Sequence, residues 1–212
     1  MLRIVALFWV ALSLSACAVV SSERPLFSVA DGEGAPILKP GLWAAPVGDC
    51  KFSLRGSALK WPDCANAMVL TANALIGGKR DAAGAFAETL GYRMVGGDPA
   101  ILQIEAPPDR GPGDPKVIYL GVRPLASDGQ GLITGARVWL TLCAKPPLAE
   151  GGDLSQPARL MPGLTALKGR DECLARTPAT VRNATRQSEA WAFSGDDRSF
   201  GLVARWIRDG DR

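Results

Sequence analysis

No histidine occurs anywhere in the 212 residues. That removes the usual general base near neutral pH and the commonest neutral metal ligand. None of the five cysteines stands in C-x-x-C spacing with another, so the common zinc sites have neither thiol pairs nor imidazoles to draw on. No metal and no other cofactor is expected. A G-x-S-x-G nucleophile elbow is missing too. The adjacent acids Asp171-Glu172 and Asp196-Asp197 stand in polar, turn-like stretches and read as solvated surface. We therefore expect no enzyme and name no catalytic residue. Charge of one sign is equally scarce: 24 Lys and Arg oppose 21 Asp and Glu, interspersed along the chain. Nucleic-acid domains concentrate basic residues in a patch, so no nucleic-acid partner is expected.

What is present describes a folded, exported chain. At 47% apolar and 21% charged residues the sequence is too hydrophobic for a disordered protein. Its length suits one domain of substantial core. The start differs from the rest. Arg3 supplies a positive charge, residues 4–14 run apolar with only Ser13 interrupting, and Ser15-Ala16-Cys17 are small. A basic stretch, an apolar run of about 11 residues and a small-residue cleavage zone make an export signal. The run falls short of the roughly 20 residues a spanning helix needs.

Leu14-Ser15-Ala16-Cys17 resembles the lipobox of bacterial lipoproteins. The resemblance implies a diacylglycerol on the Cys17 thiol, cleavage after Ala16 and an acyl chain such as palmitate on the new amine. The remaining chain would be fixed to a membrane by that anchor. Ala18, standing where enteric bacteria place an inner-membrane retention Asp, implies the outer membrane, with the domain facing the periplasm. On this reading residues 1–16 are the signal and residues 17–40 the lipidated Cys and a flexible tether. Residues 41–212 are a single globular β-rich domain. Ser, Gly, Pro and Ala dominate the tether, and Phe27 and Ile37-Leu38 are candidates to dock part of it.

Four cysteines remain after cleavage: Cys50, Cys64, Cys143 and Cys173. An even number in an oxidising compartment reads as disulfides. Three pairings exist; nearest neighbours give Cys50–Cys64 and Cys143–Cys173, each stabilising by roughly 3–4 kcal/mol through loop closure.

The domain itself reads as mainly β with some α: an antiparallel sheet or partly closed barrel, one C-terminal helix and two disulfides. Leu102, Ile104 and Ala106 alternate with Gln103 and Glu105, the pattern of a half-buried strand. Residues 117–122 and 132–143 read as strands around the Gly-rich turn 128–131, with a longer connection from Arg123. In the second of these, Ala136, Val138 and Leu140 lie opposite Arg137, Trp139 and Cys143. Residues 146–162 form a long polar loop. Thr177-Pro178 opens a helix as N-cap and first helical residue, presenting Val181, Ala184, Ser188 and Trp191 on one face until about Ala192. A turn at 195–197 leads to a last strand over 201–207. Residues 67–76 are strand or helix, and 81–90, closed by Gly91, read as a short helix.

Two clusters stand out as candidate binding surfaces. Trp61-Pro62-Asp63-Cys64 and Trp43 offer aromatic area; the alternative is a Trp packed beside a disulfide. Tyr119, Arg123, Arg137 and Trp139 share a sheet face, as a ligand floor or as aromatics packed under Arg stems. Gly41-Leu42-Trp43 before a β-rich chain, with a late helix and final strand, is similar to lipocalins. That resemblance implies an eight-stranded barrel holding one small apolar ligand. The first functional reading is a lipid-anchored envelope protein with a structural or protein-interaction role. The second is a lipocalin-like carrier or binding module for a small apolar ligand.

Overall fold

Each strand of the central sheet has two neighbours, so the sheet has no free edge where it closes. In the computed structural model, which describes residues 19–80, 86–105, 114–145, 159–167, 170, 172–193 and 200–210, eight antiparallel strands form a closed barrel. They are β2 (Gly41–Ala44), β3 (Met68–Leu70), β4 (Ala74–Arg80), β5 (Phe86–Val95), β6 (Ala100–Glu105), β7 (Val117–Ser127), β8 (Ile133–Leu140) and β11 (Gly201–Arg208). From β2 to β8 each strand pairs with the next in sequence. The last, β11, lies between β8 and β2 and completes the ring.

Outside the ring sits a small extension. Strand β1 (Val19–Ser22) joins the low end of β7 through Ser21↔Ile118 and Ser22↔Val117. It runs parallel to β10 (Glu172–Ala175), which in turn pairs with β9 (Leu164–Ala166). Helix α1 (Pro178–Ala192) follows, with Thr177 accepting from the Thr180 N–H as N-cap and Pro in its first turn. Both disulfides form between nearest neighbours, Cys50–Cys64 and Cys143–Cys173.

The expected tether is not loose from Val19 onward. Val20 and Phe27 are fully buried, and Leu38 nearly so. Gln103 anchors this segment: its side-chain oxygen accepts from the Leu26 and Phe27 N–H groups at 3.1 and 3.0 Å. Phe27 packs edge-on to Tyr119 with centroids 6.0 Å apart, and the Arg182 guanidinium lies 5.0 Å over its ring. The physical reason is that the outer wall of β5, β6 and β7 is apolar at Val95, Ile101 and Val117, and needs cover. For the same cause β6 is buried on both faces, Gln103 included, where sequence alternation implied a solvated side.

Three other expectations change. Phe86–Val95 is one strand, so the helix read over 81–90 does not form at 86–90. Cross-strand pairing of Leu90 with Leu75 outweighs the helical bias of Ala, Glu and Leu. Residues 67–76 resolve into β3 and the start of β4 around a Thr71 turn. Strand β7 runs on to Ser127 through irregular pairing near Pro124 and Ala126, which makes the 128–131 turn tight. Cys17, the signal, most of the 146–162 loop and the 195–197 turn lie outside the described residues.

Helix α1 covers the outer face of β7 and β8 without leaving its polar atoms unpaired. The Trp139 indole N–H donates to Thr185 O at 2.9 Å, and Ser188 Oγ accepts from the Leu142 N–H at 2.8 Å. Beneath the helix the Trp139 ring lies flat on Gly121, its cross-strand partner. A Cβ at residue 121 would sit 2.1 Å from that ring. Gly121→Ala is therefore expected to destabilise the protein by about 3 kcal/mol, the upper end of ordinary overpacking costs. Thermal or urea unfolding of the variant checks this; unchanged stability would show that the ring has room to move.

Candidate binding site in the barrel interior

Register alone sorts the barrel residues onto two faces. Pairs Leu102↔Leu120 and Ile104↔Ile118 lead to Leu120↔Leu140 and Val122↔Val138, then Val138↔Leu202 and Ala136↔Ala204. The ring continues through Trp206↔Trp43, Trp43↔Met68, Leu70↔Leu75, Leu75↔Leu90 and Met94↔Leu102. With the exception of Leu140 all of these belong to one apolar cluster, and this is the inward face. Tyr92, opposite Ile104, contributes the hydroxyl on it; that hydroxyl donates to Thr71 O at 2.8 Å, and burial pushes its pKa up.

One end of this interior is sealed. Leu38 bridges to Ile133, and both are buried. The Trp43 indole N–H donates to Lys39 O at 2.8 Å, and that of Trp206 donates to Pro40 O at 3.0 Å. The Lys39 ammonium sits 4.1 Å from the Trp206 ring centroid and 3.1 Å from an Asp128 carboxylate oxygen. Gly41 makes the crossing of chain and indole feasible. Its φ is 129°, and a Cβ there would lie 2.5 Å from Arg208 O, so only glycine fits.

Towards the opposite end the pattern inverts. On β7 and β8 the outward residues Val117, Tyr119, Gly121 and Trp139 are buried, whereas the inward Ile118, Leu120, Val138 and Leu140 are half-buried. Met68, Leu90 and Leu202 share that partial exposure. These inward apolar side chains keep partial exposure towards this end, while Leu102, Ile104, Val122 and Ala136 on the same face are buried, and Met68 and Met94 give the wall adaptable shape. Tyr92 is the titratable group described on this apolar face, and among the described residues no cluster of metal-binding side chains occurs. What such a lining can do is bind an apolar molecule.

The six residues singled out from sequence do not line this space together. Trp43 does face inward, at the sealed end. Trp61 packs on Phe52, centroids 4.6 Å apart, beside the Cys50–Cys64 bridge, with the Arg208 guanidinium 5.8 Å above its ring. Tyr119, Arg123, Arg137 and Trp139 share one face, as read, but it is the outer face and α1 occupies it. Tyr119 bonds Ser22 Oγ at 2.6 Å. Arg123 holds Glu189 in a two-pronged ion pair at 2.5 and 2.8 Å and reaches Asp98 at 2.9 Å; those carboxylates hold its pKa above the usual guanidinium value. The Arg137 guanidinium lies 5.1 Å over Phe193. The lumen residues Ile118, Leu120 and Leu202 were visible only as one side of an alternating pattern. Comparison with protein-family models, with curated proteins and with solved structures returned no significant match.

Asp128 ties the sealed end to the hairpin it caps. Burial pushes its carboxyl pKa upward, but the Lys39 ammonium and the N–H groups of Gln130 and Leu132 outweigh this and hold it below the usual carboxylate value. A depressed folded-state pKa contributes stability above the unfolded pKa of about 3.9 and loses it as pH falls through the folded value. Asp128→Asn should thus be less stable than the parent at pH 7, and the two should converge below about pH 4. Unfolding curves across pH 2–8 test this; a constant gap would assign the loss to the turn alone.

Proposed function

We propose that the protein is a lipid-anchored bacterial envelope lipoprotein whose barrel is a binding module for a small apolar ligand. One observation carries the binding half: the inward apolar residues Ile118, Leu120, Val138 and Leu202 are accessible while the outward residues beside them are buried. An eight-stranded barrel is just wide enough to be filled by side chains or to hold one small molecule. Deeper in the barrel the inward Val122 and Ala136 are buried, so the exposure is confined to one end. The closed barrel and the Gly41-Leu42-Trp43 start of its first strand fit the lipocalin-like expectation. The late helix precedes the final barrel strand. The placement half of the reading rests on the lipobox-like residues 14–17.

A structural or protein-interaction role is the second reading. It draws on apolar residues left at the surface, above all Val29 and Ile37, exposed by 73% and 61%.

Native mass spectrometry of the protein purified from its own membrane separates the two. The carrier reading expects one small apolar molecule per chain, lost in an Ile118→Glu/Leu120→Glu variant that keeps the parent's circular dichroism. An empty barrel that also fails to take up an apolar fluorophore favours the interaction role. The anchor has its own check. Cys17→Ser should abolish metabolic labelling by palmitate and leave the protein uncleaved or soluble; unchanged membrane retention and labelling would refute acylation at Cys17.

A further inference from the structure

A second concavity, outside the barrel, has a different chemistry. It lies where the parallel strands β1 and β10 end side by side, and its volume is about 360 Å³. Leu26, Leu174 and the buried Ala175 form its apolar part, and Glu23, Arg24 and Arg176 its charged rim. The register explains the pairing of the two arginines. Ser21 stands opposite Leu174, so the chain leaving β1 and the chain leaving β10 emerge together, each carrying an arginine. Their guanidiniums have no ion-pair or hydrogen-bond partner among the described residues, in contrast to Arg123, Arg170 and Arg208. Glu23 offsets one of the two charges, and the rim keeps a net positive charge.

We propose that this pocket binds a phosphate-bearing amphiphile, with the two guanidiniums on the phosphate and Leu26 and Leu174 against its first carbons. Guanidinium forks match phosphate oxygens bidentately and desolvate at less cost than ammonium groups. An apolar patch directly beneath a cationic rim suits a group that carries charge and hydrocarbon together, as a phospholipid headgroup does. Position supports the same ligand. Val19 already belongs to β1, and two residue steps span at most about 7 Å. The four residues of β1 add about 10 Å. The pocket therefore lies within about 17 Å of Cys17 along the chain. This last argument rests on the anchor reading; the charge and shape arguments do not.

The test uses the whole chain in non-ionic detergent, with short-chain phosphatidylglycerol below its micelle concentration and, separately, inorganic phosphate as probes. Arginine modification by phenylglyoxal is followed site by site by peptide mass spectrometry. At ten times the dissociation constant the lipid should slow modification of Arg24 and Arg176 by about tenfold, leaving Arg205 on the outer side of β11 unchanged. Protection by inorganic phosphate as well supports the same site with a soluble phosphate ester as its source. Protection of neither arginine, or equal protection of Arg205, overturns the proposal. The double variant Arg24→Gln/Arg176→Gln should keep the parent's unfolding temperature and lose lipid binding; full retention of binding would also overturn it. Because the probes are soluble, the result holds whether or not Cys17 is acylated, and the palmitate label reports on that separately.

Discussion

The barrel closes only when its last strand reaches its first. Trp206 pairs with Trp43 and Arg205 with Ala44 across most of the chain, β11 pairs with β8 across a long excursion, and every other barrel pairing joins strands consecutive in sequence. Long-range closure costs conformational entropy before it returns contacts. The molecule meets that cost with three devices on or near the excursion from β8 to β11. Cys143–Cys173 shortens it, α1 seats it on the outer face of β8 through Trp139 and Ser188, and the pair of indoles at the seam holds the ends together through Pro40 and Lys39.

Closure with external cladding also explains why the usual relation between wall and core is reversed on one side. Phe27 and α1 cover the outside of β6, β7 and β8 at Gln103, Tyr119, Gly121 and Trp139, all buried, and leave Arg137 exposed. Behind this cladding the inward Ile118, Leu120, Val138 and Leu140 of β7 and β8 remain half-buried. Two separate apolar clusters flank one wall.

Much of the fold was legible in the sequence because it depends on local signals. The Thr177-Pro178 helix start, the 128–131 turn, the strands at 101, 117, 133 and 201 and the nearest-neighbour disulfides all follow from caps, turn glycines, alternation and cysteine parity. What was not legible depends on distant partners. Residues 19–40 lack the periodicity of an element, and only the apolar wall of β5 to β7 explains why Val20 and Phe27 are buried. Phe86–Leu90 carries helix-favouring residues and becomes strand because Leu75 faces Leu90. Tyr119, Arg123, Arg137 and Trp139 were grouped correctly, yet alternation does not say which face of a strand is the inside of a barrel. The more conspicuous aromatic face proved to be the seat of the helix, and the plain aliphatic one lines the lumen.

The connectivity of the two cystines has a consequence for how the chain withstands proteolysis. The 51–63 and 144–172 segments are each bracketed by a covalent bridge. A single cut anywhere within either segment leaves both fragments in one covalent molecule, with the barrel strands on each side still joined. Such nicked chains would comigrate with intact protein until a reductant is added.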